Sequence, residues 1–309
     1  MDWWQAILLG IVQGLTEFLP VSSSGHLMIF KELLGVDAEG FLDFTVTVHF
    51  ATVLATIVVF WSAIWKLLKG FFKFKYNDET DYVLKILVSL VPVMIVGFFF
   101  KDQVDALFSG SLRQVAVGLC VTAALLIVSD QVGKRIRPLK SSEYARNGIS
   151  FCQAAVVGVA QAFAVVPGVS RSGSTIATGL LTGVKREAMA QFSFLMVLIP
   201  IVGEQSLDLL KVATGLLSGV KRNVMAQFSF LMVLIPIIGE QSLDLLKVAM
   251  GKETFGGGVG ALALVLGFIA AFFAGLFACK VMIAIVRKAR LTWFALYCLL
   301  VAILIFVLV

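Results

Sequence analysis

The feature that most restricts the folds open to this chain is a series of apolar runs too long for a soluble core. Runs at about 44–65, 82–100, 113–131, 188–204, 258–286 and 291–309 carry few charges. Each approaches the ~20 residues that a helix rising 1.5 Å per residue needs to cross a bilayer's hydrocarbon core. With no water at that depth, every backbone group must pair within its own segment. The predicted class is therefore all-α, a polytopic membrane helical bundle. Composition agrees, since 60% of the 309 residues are apolar and only 14% are charged, where a soluble domain carries about a quarter.

The charges report orientation. Lys and Arg exceed Asp and Glu by 25 to 19, for a net charge of +6, and the excess sits in short clusters. Lys66, Lys69, Lys73 and Lys75 follow the first run; Lys134, Arg135, Arg137, Lys140 and Arg146 follow the third. Two crossings separate the clusters, so both belong on one face, which the positive-inside rule makes cytoplasmic. This pattern implies a bilayer as partner and no nucleic acid. Met1-Asp2-Trp3-Trp4 lacks the basic region of a secretory signal, so no cleaved leader is expected. Cys120, Cys152, Cys279 and Cys298 fall in apolar segments at unrelated spacings, which supports neither a disulfide framework nor a metal cluster.

Two further runs, about 3–20 and 150–167, each end at a proline that leads into a Ser/Gly-rich cluster and a short helical stretch. This pattern predicts two re-entrant broken-helix hairpins, because irregular backbone at membrane depth survives only where protein or a water-filled cavity surrounds it. Set side by side without a gap, Gly10-Ile11-Val12-Gln13 matches Gly158-Val159-Ala160-Gln161. Pro20-Val21-Ser22-Ser23-Ser24-Gly25-His26 likewise matches Gly168-Val169-Ser170-Arg171-Ser172-Gly173-Ser174. The chain is thus read as one membrane domain, 1–309, of two related halves, about 1–131 and 147–309. A first hairpin entering from outside and a second entering from the cytoplasm would make them inverted repeats, with a ligand site near the midplane.

A second repeat is of another kind. Residues 177–212 recur at once as 213–248, differing only at Thr182/Ser218, Glu187/Asn223, Ala188/Val224 and Val202/Ile238. So little divergence marks a tandem duplication, not an architectural repeat. Lys185, Arg186, Lys221, Arg222, Arg287, Lys288 and Arg290 should all be cytoplasmic, so the added copy must cross an even number of times, lie re-entrant or override the charge rule.

The chemistry gathers at the two breaks. Gln13 and Glu17 are four apart and share a helix face. A carboxylate in hydrocarbon costs about 2.5 to 3.5 kcal/mol on insertion scales, so Glu17 should face a wet cavity or a partner, and it is a functional candidate. His26 closes the Ser22-Ser23-Ser24-Gly25 cluster, where a near-neutral imidazole suits proton transfer or nucleophilic attack. The other histidine, His49, lies among Val and Phe in a predicted span and is read as a buried hydrogen-bonding residue. In the second break Arg171 is a permanent cation, whose fork either meets phosphate oxygens or pairs with Glu17. Ser170, Ser172, Gly173 and Ser174 around it leave N–H groups free at a helix start, where a dipole favours anions. Two such helix ends would cradle a diphosphate.

The stretches Leu15-Thr16-Glu17-Phe18-Leu19-Pro20-Val21-Ser22-Ser23-Ser24-Gly25-His26 and Pro167-Gly168-Val169-Ser170-Arg171-Ser172-Gly173 closely resemble the two signature motifs of the bacterial undecaprenyl-diphosphate phosphatase family, also known for bacitracin resistance. The likeness runs over nearly the whole chain. It departs from the family in one extra copy of the duplicated segment and, less, at Gln13, where the family allows Glu or Gln. The resemblance implies hydrolysis of undecaprenyl diphosphate to the monophosphate and phosphate, recycling the lipid carrier of cell-wall synthesis. It also implies the bacterial cytoplasmic membrane, with the site open to its outer face. Glu17, His26 and Arg171 match residues held essential, and Ser22, Ser23, Ser170 and Ser172 match motif serines. A divalent cation, Mg²⁺ or Ca²⁺, is also implied, with Glu17 as a protein ligand and the diphosphate supplying part of the shell. The expected mechanism is in-line attack by Ser23, His26 or water. Two other readings remain open at this point. One is a carrier of phosphorylated polyprenyl lipid on the same inverted scaffold, and the other is a scaffold inactivated by the duplication.

Overall fold

The computed structural model describes residues 1–37, 41–100, 103, 111–133, 146–196, 259–288 and 290–308. Nine helices carry the argument: α1 Trp3–Phe18, α2 Ser23–Leu33, α3 Phe41–Phe71, α4 Asp78–Phe99, α5 Leu112–Val132, α6 Phe151–Phe163, α7 Arg171–Leu181, α8 Ala261–Lys288 and α9 Thr292–Leu308. Among the described residues there is no strand, and four segments are long and apolar enough to cross a membrane: Phe44–Phe71, Asp78–Gly97, Leu112–Val132 and Leu262–Met282. Thr292–Val307 is equally apolar but shorter. The span expected at 188–204 is helical over 186–196. Its remainder, the second copy at 213–248 and the basic residues 134–140 lie outside the described residues. The protein is an all-α polytopic membrane bundle.

Both predicted breaks are present. The α1–α2 and α6–α7 pairs are hairpins whose open ends are tied by the same device at positions 148 residues apart. The Asp2 N–H donates to Gln5 Oε1 at 2.7 Å, and the Gln5 amide then reaches across to the Leu34 carbonyl at 3.0 Å. In the second hairpin the Ser150 N–H donates to Gln153 Oε1 at 2.9 Å, and Gln153 Nε2 reaches the Thr182 carbonyl at 2.7 Å. Each short second helix also closes alike. Gly35 and Gly183 take left-handed φ of 59° and 83°, which glycine adopts at no steric cost. The following Val36 and Val184 N–H groups then return to the Lys31 and Gly179 carbonyls, a Schellman closure with a buried valine.

The hairpins open at opposite ends of α3. Lys31, near the end of the first, lies over the Phe41 ring at the start of α3. At the far end of α3, Lys66 pairs with Glu79 of α4 at 3.8 Å, and there Lys85 donates to the Arg146 carbonyl and Asn147 to that of Asp78, just before α6. The residues after α3 and those before α6 thus share one end, as the charge pattern predicts. A 31-residue helix is about 46 Å long at 1.5 Å per residue, so the two openings are a bilayer apart.

Packing crosses between the halves. α1 lies on α8, α6 on α4, and α5 on α9. A Cβ on Gly10 would strike the Gly267 carbonyl of α8, and one on Gly158 would strike the Ser89 carbonyl of α4. Small residues of this kind let membrane helices approach backbone to backbone, where dispersion contacts replace the absent hydrophobic drive. α5 forms the floor beneath both breaks. Its Gly118 admits Pro167, and its Val115 backbone lies against Gly168.

Candidate active site

The breaks are built from the same local grammar. Ser22 caps α2 by accepting the Gly25 N–H at 3.3 Å, and Ser170 caps α7 by accepting the Gly173 N–H at 3.1 Å. Ser22 does so at φ 69°, a strained setting for a non-glycine residue that costs on the order of 1–3 kcal/mol and persists only where surroundings enforce it. These caps make Ser23 and Arg171 the first residues of their helices. The breaks also touch directly, since Ser172 Oγ donates to the Leu19 carbonyl at 3.1 Å.

Between them stands Glu17, in the last turn of α1. Its Oε2 accepts Ser23 Oγ at 2.6 Å and Gln13 Nε2 at 3.0 Å, and its Oε1 accepts Arg171 Nη2 at 2.5 Å. The carboxylate is 8% exposed and the guanidinium 29%. Of the two partners foreseen for Arg171, the carboxylate is therefore the one it holds here. Its other N–H groups have no protein partner among the described residues, which leaves part of a planar donor fork available to another acceptor. Two desolvated charges are tolerable because they are paired; deleting one would strand the other at a cost of about 3–5 kcal/mol.

The remaining predicted residues fall around this core. Ser24 Oγ lies 3.4 Å from Ser22 Oγ, and Ser170 Oγ 3.3 Å from Ser172 Oγ. Gly25 and Gly173 are the capped third residues of their helices, with Gly25 close enough that a Cβ would press on Gly168 at 3.3 Å. Ser174 is buried, and its hydroxyl has no partner among the described residues, nor has the side-chain carbonyl of Gln13. His26 turns toward α9. Its ring is buried, with Nδ1 on the Ser22 carbonyl at 2.7 Å and Nε2 on Tyr297 Oη of α9 at 2.8 Å. The structure joins Glu17, Ser23, Gln13 and Arg171 directly; His26 belongs to the same break but turns to a different partner.

Three residues were missed by motif reading. His49 does hydrogen-bond, as expected, through Nδ1 to the Thr45 carbonyl at 2.8 Å. It is not sealed in the core, however: its side chain is 30% exposed, and Nε2 lies 3.7 Å from Glu17 Oε2. A signal was available in Thr45, His49, Thr52 and Thr56, which recur at helical spacing along the predicted span. Thr122 of α5 takes the Ser170 N–H at 2.8 Å and offers its hydroxyl to the Gly168 carbonyl at 3.2 Å, holding the second break in place. Tyr297 carries no sequence signal, because it is one aromatic residue in an apolar helix.

The chain matches the family described as Bacitracin resistance protein BacA over residues 6–213 and 210–304. The chain belongs to this family. The two matched stretches meet at 210–213, where the tandem copies join. A Bacteroides fragilis protein named Undecaprenyl-diphosphatase is 44% identical over 303 residues, covering 98% of this chain and 97% of the relative. One of the same name from Bacteroides thetaiotaomicron is 45% identical over 298 residues, covering 96% of each. A third, from Halothermothrix orenii, is 35% identical over 311 residues, covering 100% of this chain and 98% of the relative.

Among the described residues no three His, Cys, Asp or Glu side chains converge, and both oxygens of Glu17 accept protein donors. A hard divalent cation takes six or more oxygen ligands, several of them water and substrate phosphate, so Glu17 would supply only a small part of any such shell.

Proposed function

We propose that this protein is a membrane phosphatase that hydrolyses undecaprenyl diphosphate to undecaprenyl phosphate and inorganic phosphate, returning the lipid carrier to cell-wall synthesis. One observation carries the reading: the first residues of the two short helices, Ser23 and Arg171, grip opposite oxygens of a single intramembrane carboxylate. A hydroxyl 2.6 Å from a carboxylate is a nucleophile beside its base. A guanidinium at a helix start is a receptor for phosphoryl oxygens.

The steps follow from that geometry. The terminal phosphate enters between the breaks, and its oxygens take over the Arg171 donors together with the first-turn N–H groups of α2 and α7. Ser23 Oγ attacks the terminal phosphorus in line, its proton passing to Glu17. The bond from that phosphorus to the bridging oxygen breaks, and undecaprenyl phosphate leaves. The proton on Glu17 leaves with that lipid phosphate; water then attacks the phosphoserine, its proton passing to Glu17 and on to Ser23 Oγ as the phosphorus–oxygen bond breaks and phosphate departs. Positioning and charge stabilisation supply most of the rate in such transfers. Of the three nucleophiles considered, Ser23 has the geometry in its favour, since His26 Nε2 is occupied by Tyr297. Mg²⁺ or Ca²⁺, where it takes part, would come bound to the diphosphate and offset its charge.

The hairpins are re-entrant in this reading. α1 and α6, with 16 and 13 residues, are about 24 and 20 Å long, short of the ~30 Å hydrocarbon core. The first hairpin opens opposite the lysines that follow α3, and the positive-inside rule then supports a mouth on the outer face of the bacterial cytoplasmic membrane. The halves at about 1–131 and 147–309 are inverted repeats of one membrane domain.

Purified protein in detergent micelles, given undecaprenyl diphosphate, is expected to release phosphate and to yield a phosphoserine at Ser23 on rapid acid quench. A micelle has no two sides, so lipid movement across a bilayer without phosphate release in detergent would replace the hydrolase with a carrier.

A further inference from the structure

His26 offers a tautomer problem that its partners solve. The Ser22 carbonyl can only accept, so the hydrogen on the His26 ring must sit on Nδ1, which lies 2.7 Å away. A neutral ring then presents a lone pair at Nε2. The group facing that lone pair at 2.8 Å is the Tyr297 hydroxyl, which can donate. The two rings lie nearly parallel, 8° apart with centroids 5.6 Å apart, so contact extends over the ring face as well as the edge.

We infer that Tyr297 is a positioning residue for His26: it fixes the imidazole as the Nδ1–H tautomer and couples the C-terminal helix to the first break. Three observations converge on this assignment. Ser22 holds its carbonyl toward both the backbone N–H and the ring of His26, from a strained left-handed conformation. Strain at such a point is retained where the surroundings over-determine it. His26 is 3% exposed, so an unpartnered Nε2 would be a desolvated acceptor with nothing in the protein to satisfy it. The next residue on α9, Cys298, is buried with Sγ 3.8 Å from the Pro20 carbonyl, which seats this turn of α9 against the break itself.

The hydroxyl has a property that a mere filler lacks. When Nε2 is bare it donates; if Nε2 takes up a proton during turnover, the phenol rotates and accepts from it. No proton is lost from the pair, and the ring stays in place through both states. Phenylalanine keeps the stack and can do neither. The structural part of this assignment stands on geometry alone, and its kinetic consequence rests on the phosphatase reading above.

The chain contains two histidines, so protein labelled with ¹⁵N-histidine gives only two imidazole spin systems, and His26→Gln identifies which is which. In membranes, solid-state NMR should show His26 protonated at Nδ1 with a hydrogen-bonded, bare Nε2. Tyr297→Phe should move the Nε2 resonance to that of an unbonded acceptor while Nδ1 stays protonated. In phosphate release, Tyr297→Phe should lower kcat by about tenfold with KM unchanged, since a displaced His26 ring loosens the break that positions Ser23. The same change should add nothing in a His26→Gln background, as expected for two groups acting as a unit. A wild-type ring protonated at Nε2, or Nε2 unmoved by Tyr297→Phe, overturns the assignment, as do additive kinetic effects. Silence of the wild-type enzyme toward the diphosphate, with the NMR signature intact, would instead overturn the phosphatase reading.

Discussion

The two broken-helix hairpins share a skeleton and differ in their chemistry. Position by position, 148 residues apart, they use the same glutamine clasp, the same serine cap, the same left-handed glycine and the same close-packing glycine. They part at the residues to which the proposed mechanism gives a role. Ser23 in the first corresponds to Arg171 in the second, His26 to Ser174, and Glu17 to Val165. Their inner ends also differ, because α1 keeps its last turn as far as Phe18 while α6 unwinds after Phe163, three residues earlier in equivalent terms. That extra turn carries Glu17 to where both short helices meet. In the proposed mechanism these differences leave two alike helix starts with one base, one nucleophile and one cation between them.

The comparison can be broken most forcefully at the carboxylate. Glu17→Gln should cut phosphate release by about 10³-fold or more, because it removes the base and the partner of Arg171 together; adding Val165→Glu should not restore it. Recovery in that double variant, read by phosphate release in micelles, would show that the halves are chemically interchangeable.

The next effect is at the cation. Arg171→Lys keeps the charge but loses the fork, and should lower kcat by roughly 10²-fold. A lysine variant as active as wild type would mean that charge alone suffices and that geometry at the start of α7 is idle.

A smaller loss, about tenfold, is expected for His49→Gln, since His49 approaches the carboxylate without a hydrogen bond. An unchanged kcat and KM would return it to the structural role its neighbourhood first suggested. Smallest of all are the clasps. Gln5→Ala and Gln153→Ala should each destabilise the protein by about 1 kcal/mol, the net worth of a typical hydrogen bond, and by similar amounts. Unequal shifts in the midpoint of thermal unfolding in detergent would sharpen the comparison by showing that one hairpin is held chiefly by other contacts.

Much of this was legible in the residues. Glu17 and Arg171 announce themselves because a charge in hydrocarbon is costly and must have a reason. Ser22 and Ser170 do so because a serine three residues before a helical glycine, after a proline or glycine, spells a cap. His49 was legible only as part of the threonine stripe on α3, and was read as core because the surrounding Val and Phe outweighed it. Tyr297 was not legible, since its partner lies 271 residues away and nothing local distinguishes it. The direction of the His26 ring was not legible either, for the same reason: nothing local says which way it would turn.

The sequence by itself determined the membrane, the helices, the breaks and the doubling, because hydropathy, caps and glycine placement act over a few residues and leave their mark locally. Only the tertiary structure decided that Arg171 closes on Glu17, that His49 joins them and that His26 faces α9. Those choices depend on how two hairpins from opposite ends of the bundle meet over α5, and a contact between distant segments is fixed by packing in three dimensions and not by any stretch of the chain.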